Sequence, residues 1–222
     1  MVVVGYQGIG KSTLTKQNVS EGCYTATLEY EWMKVNGQPI ENFFQVIQTI
    51  AEHLKGQHIT TIMAVDEFYS EIMKTKIQFA DHPVFIDLES SNFWVNGERS
   101  EDWAKVYAKL ALELSKQGFI VFTSSHKVVR DELDELTYED EYYDEDVVVI
   151  YPSLSLKDEW IEKLRLRYES TKLDKDYRAY MNAKEKYEEN ISELMESPFD
   201  EIQLSNIDYN LREAILEFKE NM

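Results

Sequence analysis

The sequence predicts an α/β domain of three layers (α/β/α), in which a five-stranded parallel sheet carries helices on both faces and a mostly helical insertion. Two observations lead there. Strand-like and helix-like segments alternate along most of the chain, the rhythm of βα units. Most of the strand-like segments are continuous apolar runs, as expected of strands buried on both faces. With 222 residues, the chain suits one domain, residues 1–222, with enough length for a substantial core.

Val2 to Val4 read as a short β-branched strand bounded by Gly5, and a helix is expected from Ser12 to Gln17. Residues 24–81 break the rhythm and read as an inserted subdomain. Within it, Phe43, Val46, Ile47, Ile50 and Leu54 align on a helix from Asn42 to Leu54, Thr60 to Ile77 reads as a second helix, and Asn36-Gly37 marks a turn. The core resumes with a strand at Pro83–Glu89. A helix follows, with Trp103, Val106, Tyr107, Leu110, Ala111 and Leu114 at three- and four-residue spacings, ended by Gly118. Phe119–Thr123 is the third strand, a helix starts near Lys127, and Val147–Tyr151 is the fourth strand, stopped by Pro152. A helix from Lys157 to about Glu169 places Trp160, Ile161, Leu164 and Tyr168 on one face. The polar turn Ser170–Asp176 leads to a second helix that ends before Pro198. Glu201–Leu204 is the fifth strand, and Leu211–Lys219 closes the chain as a helix. Right-handed crossovers then put the loop after the first strand at the carboxyl edge of the sheet, where ligands bind in folds of this class.

Composition removes several classes of function. The apolar share of 43% and aromatic share of 13% belong to a globular chain. No apolar run reaches the roughly 18 residues that span a bilayer, so no membrane partner is expected. No secretory signal is visible at the start, and the single cysteine, Cys23, suits a reducing cytoplasm. One cysteine and four scattered histidines (His53, His58, His82 and His126) argue against zinc. A net charge of −19 disfavours bulk nucleic-acid binding. Much of that charge lies in Asp131–Asp146, where ten of sixteen residues are acidic, which reads as a solvated connection.

The stretch Gly5-Tyr6-Gln7-Gly8-Ile9-Gly10-Lys11-Ser12 fits the phosphate-binding loop G-x-x-x-x-G-K-[ST] without a mismatch, between a strand and a helix as that motif requires. Converging backbone N–H groups and the positive end of a helix dipole suit a polyphosphate. ATP is therefore expected on Gly5, Gly8, Ile9, Gly10, Lys11, Ser12 and Thr13. Lys11 would reach the β- and γ-phosphates, and the Ser12 hydroxyl would ligate Mg²⁺. Asp87 and Glu89, at i and i+2, lie on one side of the second core strand at its carboxyl end. Asp87 could orient a magnesium-bound water or accept the acceptor's proton, and Glu89 could hold the substrate. Phe93 and Trp94 follow into the same region and suit a stacked nucleobase. His126, after the third strand, reads as structural. Trp103, Tyr107 and Trp160 read as core.

These residues resemble the small P-loop kinases: the nucleoside monophosphate, shikimate and gluconate kinases. That family carries a D-x-D-type acidic pair where Asp87-Leu88-Glu89 stands here. The stretch VVVIYPSLSLKDEWIEKLRLRY resembles its strand, helix and arginine-bearing lid. The resemblance implies that residues 24–81 are a substrate-side subdomain and that a helical lid spans residues 157–196, with Arg165 and Arg167 closing over ATP, and it places Arg130 toward the substrate. Two residues apart on a helix, Arg165 and Arg167 cannot share a face, so at most one is expected to be catalytic. One departure stands out. An aspartate often ends the third strand in such kinases, whereas Thr123-Ser124-Ser125-His126 stands here. Metal positioning would then rest on Ser12 and Asp87, with Ser124 or Ser125 contributing through water. The whole chain also resembles uncharacterised phage and gut-bacterial P-loop proteins that share GYQGIGKST, IDLES-x-NFW, SSHKVVR and YPSL-x-LKDEW, a likeness that implies the cytoplasm (of the host, if phage-encoded) but no activity.

The expectation is an ATP- and Mg²⁺-dependent kinase whose acceptor is a nucleoside monophosphate or a modified nucleotide. Two alternatives remain open. Ile62-Met63-Ala64-Val65-Asp66-Glu67 imitates the Walker B strand of an AAA-type ATPase, although Ile62, Val65, Tyr69, Ile72 and Met73 keep helical spacing through it. A nucleotide-gated adaptor that uses the acidic stretch is the other.

Overall fold

The computed structural model describes residues 1–14, 24–27, 34–35, 38–39, 76–79, 85–88, 90, 101, 103–116, 118–138 and 142–222. Its strands are β1 (Val2–Gly5), β2 (Tyr24–Thr27), β3 (Lys34–Val35), β4 (Gln38–Pro39), β5 (Lys76–Phe79), β6 (Phe85–Asp87), β7 (Ile120–Ser124), β8 (Val147–Pro152) and β9 (Asp200–Leu204). The helices are α1 (Trp103–Lys116), α2 (Lys127–Thr137), α3 (Lys157–Thr171), α4 (Asp174–Met195) and α5 (Leu211–Glu220). The main sheet runs β6-β7-β1-β8-β9 with every neighbouring pair parallel. Described strands and helices therefore form a mixed α/β fold around a parallel sheet.

β1 and β8 are buried at every position. That explains why VVVG and VVVIYP show no alternation: a strand covered on both faces has no solvent side to make polar. On one flank α1 packs against β7 and β1, and α2 packs on α1. Toward the other edge α4 packs on β8 and α5 on β9, while α3 lies along α4. The outer strand β9 is largely exposed, consistent with its mixed sequence DEIQL.

The helix ends follow local chemistry. Gly118, at φ 95°, turns the chain out of α1 while its N–H donates to Ser115 O. The Asn210 side chain accepts from the N–H groups of Arg212 and Glu213, capping α5. Between α3 and α4 the expected seven-residue turn shrinks to Lys172 and Leu173. Lys172 takes the left-handed conformation at φ 55° and its N–H closes on Tyr168 O. Asp174 and Asp176 already stand in the first turn of α4, where acidic residues favour the positive end of the helix. α4 kinks at Lys186, with φ −133°.

Pro152 is inside β8 rather than beyond it, at the last rung opposite Leu204, a position where a missing donor is tolerated. Within the insertion, the described residues are strands: β2 pairs antiparallel with β5, and β3 with β4 on either side of Asn36-Gly37. Lys76 and Ile77, expected as the end of a helix from Thr60, instead lie in a strand, where KIQF alternates polar and apolar residues; the rest of that expected helix lies outside the described residues. The expected helix from Asn42 to Leu54 lies outside the described residues. No helix among the described residues is long and apolar enough to cross a membrane.

Leu133 is fully buried and Leu166 on α3 is half exposed. Leu133→Ala is expected to cost about 2–5 kcal/mol and Leu166→Ala less than about 0.5 kcal/mol in guanidinium unfolding.

Candidate functional site

The turn after β1 carries the chain from a buried strand into a helical turn at Lys11–Leu14. Gly8 and Gly10 hold φ of 85° and 99°, values that side chains rarely adopt. At Gly8 there is no room either, since a Cβ would lie 2.8 Å from Leu164 Cδ2 and 3.4 Å from Trp160 Nε1.

The carbonyls of this turn are held from outside it. Trp160 Nε1–H donates to Gln7 O at 3.0 Å, and the Tyr209 hydroxyl donates to Ile9 O at 2.7 Å. The Lys11 ammonium folds back to donate to Gly5 O at 2.9 Å and to Thr123 O at 3.1 Å, tying the turn to β7. Trp160 and Tyr209 stack with their rings 12° from parallel, and Lys163 Nζ lies 4.3 and 4.7 Å from the two ring centroids. Lys163 also donates to the Tyr209 hydroxyl at 3.3 Å. Burial pushes the Lys163 ammonium below its ordinary value, against the opposing pull of Asp208, and burial pushes the Tyr209 phenol up.

Asp87 reaches this turn from two strands away. β7 separates β6 from β1, a gap of roughly 10 Å at ordinary strand spacing. Ser12 closes it because it lies past the strand, on the helical turn that crosses toward β7. Its hydroxyl donates to Asp87 Oδ2 at 2.5 Å.

A cavity of about 640 Å³ opens here, within the usual range of small-molecule sites. Gln7 to Thr13 form one wall, Asp87, Leu88, Ser90 and Ser124 another, and α3 with the start of α4 the third. The third wall contributes Lys163, Arg167 and Lys175. Together with Lys11 these are four cations facing two acids, Asp87 and Asp176, in a chain whose net charge is −19. Asp176 is 2% exposed, accepts from Thr171 Oγ1 at 2.5 Å, and has Arg167 Nη2 2.6 Å from its Oδ1.

The structure separates the two arginines of α3. Arg167 lines the cavity, whereas Arg165 does not and pairs with Glu162 and Glu169 along its own helix, which raises its pKa. Arg130 is also away from the cavity lining. It is buried on α2, 3.5 Å from Glu193 of α4. His126 meets Trp103 edge to face. Glu89, Phe93, Trp94, Asp66 and Glu67 lie outside the described residues.

The sequence does not single out Lys163, Lys175 or Tyr209 for the site, and the spacing of Trp160 marks it only as core. A signal for the α3 face did exist: Trp160, Lys163, Leu164 and Arg167 follow the three- and four-residue helical spacing, so the face that covers the turn carries two cations. Tyr209 had no comparable signal, because its partner is a backbone carbonyl 200 residues away.

No protein-family model matches the chain, and no curated protein is significantly similar to it.

Two stability measurements follow from this geometry. Gly8→Ala is expected to cost about 1–3 kcal/mol. Gly10→Ala should cost less, since the nearest atom to its Cβ is 3.9 Å away. Because burial lowers the Lys163 pKa from 10.5, the unfolded chain binds more protons between the folded value and 10.5. Stability gained at this site should therefore rise with pH through that window. Unfolding free energies measured up to pH 10.5 should show that slope in the wild type and lose it in Lys163→Met.

Proposed function

We propose that this protein is an ATP- and Mg²⁺-dependent phosphotransferase with the P-loop architecture, acting on a nucleotide-like acceptor. The observation that carries the reading is the Ser12–Asp87 contact. It brings a hydroxyl at the end of a glycine-rich turn and a carboxylate 75 residues downstream together at one cavity. A hydroxyl and one carboxylate, with phosphate oxygens and water completing the set, match what Mg²⁺ asks of a protein. The described residues hold no cluster of three or more His, Cys, Asp or Glu side chains that would favour a dedicated all-protein metal cage. When bound, Mg²⁺ supplies charge neutralisation at the transferring phosphate.

The chain's own residues divide the remaining work. The turn from Gly8 to Thr13 would hold the triphosphate at the start of a helix, where N–H groups and dipole favour an anion. Lys11, released from Gly5 O and Thr123 O, would follow the β- and γ-phosphates. Asp87 would align the acceptor and take its proton. Arg167 and Lys163, one helical turn apart on α3, would face the phosphates as residues 157–196 close over them. Arg167 suits that role better than Arg165, because the carboxylate it meets, Asp176, lies at the cavity whereas Arg165 is held by Glu162 and Glu169 beyond it. Glu89, Phe93 and Trp94 follow Asp87 in the chain, and that adjacency supports a nucleotide-like acceptor.

The test is coupled ADP release across nucleosides, nucleotides and small hydroxy acids. One acceptor class should accelerate turnover, and Asp87→Asn should lower it by at least about 10²-fold, while Glu67→Gln stays near wild type. Arg167→Met should lose about 10- to 100-fold, the worth of a charged hydrogen bond made in the transition state, and Arg165→Met little. Turnover that ignores every acceptor, or a loss in Glu67→Gln rather than Asp87→Asn, would contradict the proposal.

A further inference from the structure

The β6–β7 ladder carries an interruption where the site begins. In a parallel pair, a residue whose N–H donates to position j−1 accepts from the N–H of position j+1. Leu88 N–H donates to Phe122 O at 2.9 Å, so the next rung should run from Ser124 N–H to Leu88 O. Instead, Ser124 N–H donates to the Tyr107 hydroxyl at 3.0 Å, and that hydroxyl donates to Leu88 O. The phenol oxygen of α1 has taken the place of one rung.

Tyr107 is fully buried, so this oxygen is not a surface group that settled on the nearest partner. A buried phenol must bond to something, and here it meets both strand ends. An oxygen inserted between a donor and an acceptor keeps them further apart than a direct bond would. The strands are therefore held open one residue past Asp87, between Leu88 and Ser124. Both residues line the cavity. The Ser124 hydroxyl is buried and has no hydrogen-bond partner among the described residues, which leaves it available at the open end.

We propose that Tyr107 is a positioning residue that wedges the carboxyl ends of β6 and β7 apart, setting Asp87 against Ser12 and presenting Ser124 to the same site. The inference rests on the reading of Ser12 and Asp87 as the metal-facing pair. Without the phenol oxygen, the ladder would zip one rung further and draw Leu88 toward Ser124, shifting the adjoining Asp87 relative to Ser12.

Two measurements test this. In isotopically labelled wild-type protein, the Tyr107 hydroxyl proton should exchange slowly and show a nuclear Overhauser contact to the Ser124 amide. No coupling across a hydrogen bond should join Ser124 ¹⁵N to the Leu88 carbonyl carbon. Presence of that coupling in the wild type would overturn the proposal whether or not a variant folds. In Tyr107→Phe the coupling should appear, and the Mg²⁺ concentration for half-maximal tightening of ATP binding should rise about tenfold, as for loss of an outer-shell partner. ATP affinity in the absence of metal should stay near wild type. An unchanged Mg²⁺ requirement, or an equal loss of metal-free ATP affinity, would overturn the role. Wild-type protein that binds neither ATP nor Mg²⁺ would overturn it through the site reading instead, with the wedge still visible by its hydroxyl proton.

Discussion

The site depends on where the carbonyl groups of the glycine turn go. A turn that is to gather an anion must direct its N–H groups toward the ligand and satisfy its carbonyls elsewhere, since a buried carbonyl without a donor is costly. Here three donors do this: the Trp160 indole and the Tyr209 phenol from outside the turn, and the turn's own Lys11 ammonium folded back on it. Two of them come from parts of the chain more than 150 residues away. The turn is thus shaped by α3 and by the segment before α5 as much as by its own glycines. This also explains the ban on a side chain at Gly8, where α3 presses against the backbone.

The same packing concentrates charge. A chain with net charge −19 repels polyphosphate at long range. Within the cavity, Lys11, Lys163, Arg167 and Lys175 outnumber the nearby acids. Lys163 lies over the rings of the stacked Trp160–Tyr209 pair, where cation–π attraction partly offsets the loss of water. Burial lowers its pKa, against the opposing pull of Asp208. Such a group gains from an arriving anion more than a solvated lysine would, because the desolvation has already taken place. The Arg167–Asp176 pair is placed similarly: the buried carboxylate keeps the guanidinium at the cavity wall rather than in solvent.

Much of the core was legible from the sequence, and the reason is burial. VVVG and VVVIYP lie in strands covered on both faces, and the spacing from Trp103 to Leu114 is that of a helix with one buried stripe. Periodicity reports burial directly, so these elements fell within a residue or two of expectation. The glycine turn was legible because its chemistry demands particular residues at fixed spacing. The position of Asp87 at a strand end suits it to reach the turn, and it does so although β7 lies between its strand and β1. The less legible features are the ones made by tertiary contact. Tyr107 and Trp160 sit on the apolar faces of their helices, and their spacing marks them as core. Nothing in that spacing announces that one polar atom on each ring meets a backbone group of the site. Arg165 and Arg167 looked equivalent until the direction of α3 was known, and the short turn at Lys172–Leu173 sets the start of α4 against the cavity.

The most direct measurement is a crystal structure with a non-hydrolysable ATP analogue and Mg²⁺. It should show the β-phosphate within the turn from Gly8 to Ser12, Lys11 swung from Gly5 O to the phosphates, and the ion contacting Ser12 with Asp87 beside it. An analogue bound away from that turn, or a bound triphosphate whose metal has no contact with Ser12 or Asp87, directly or through water, would contradict the account.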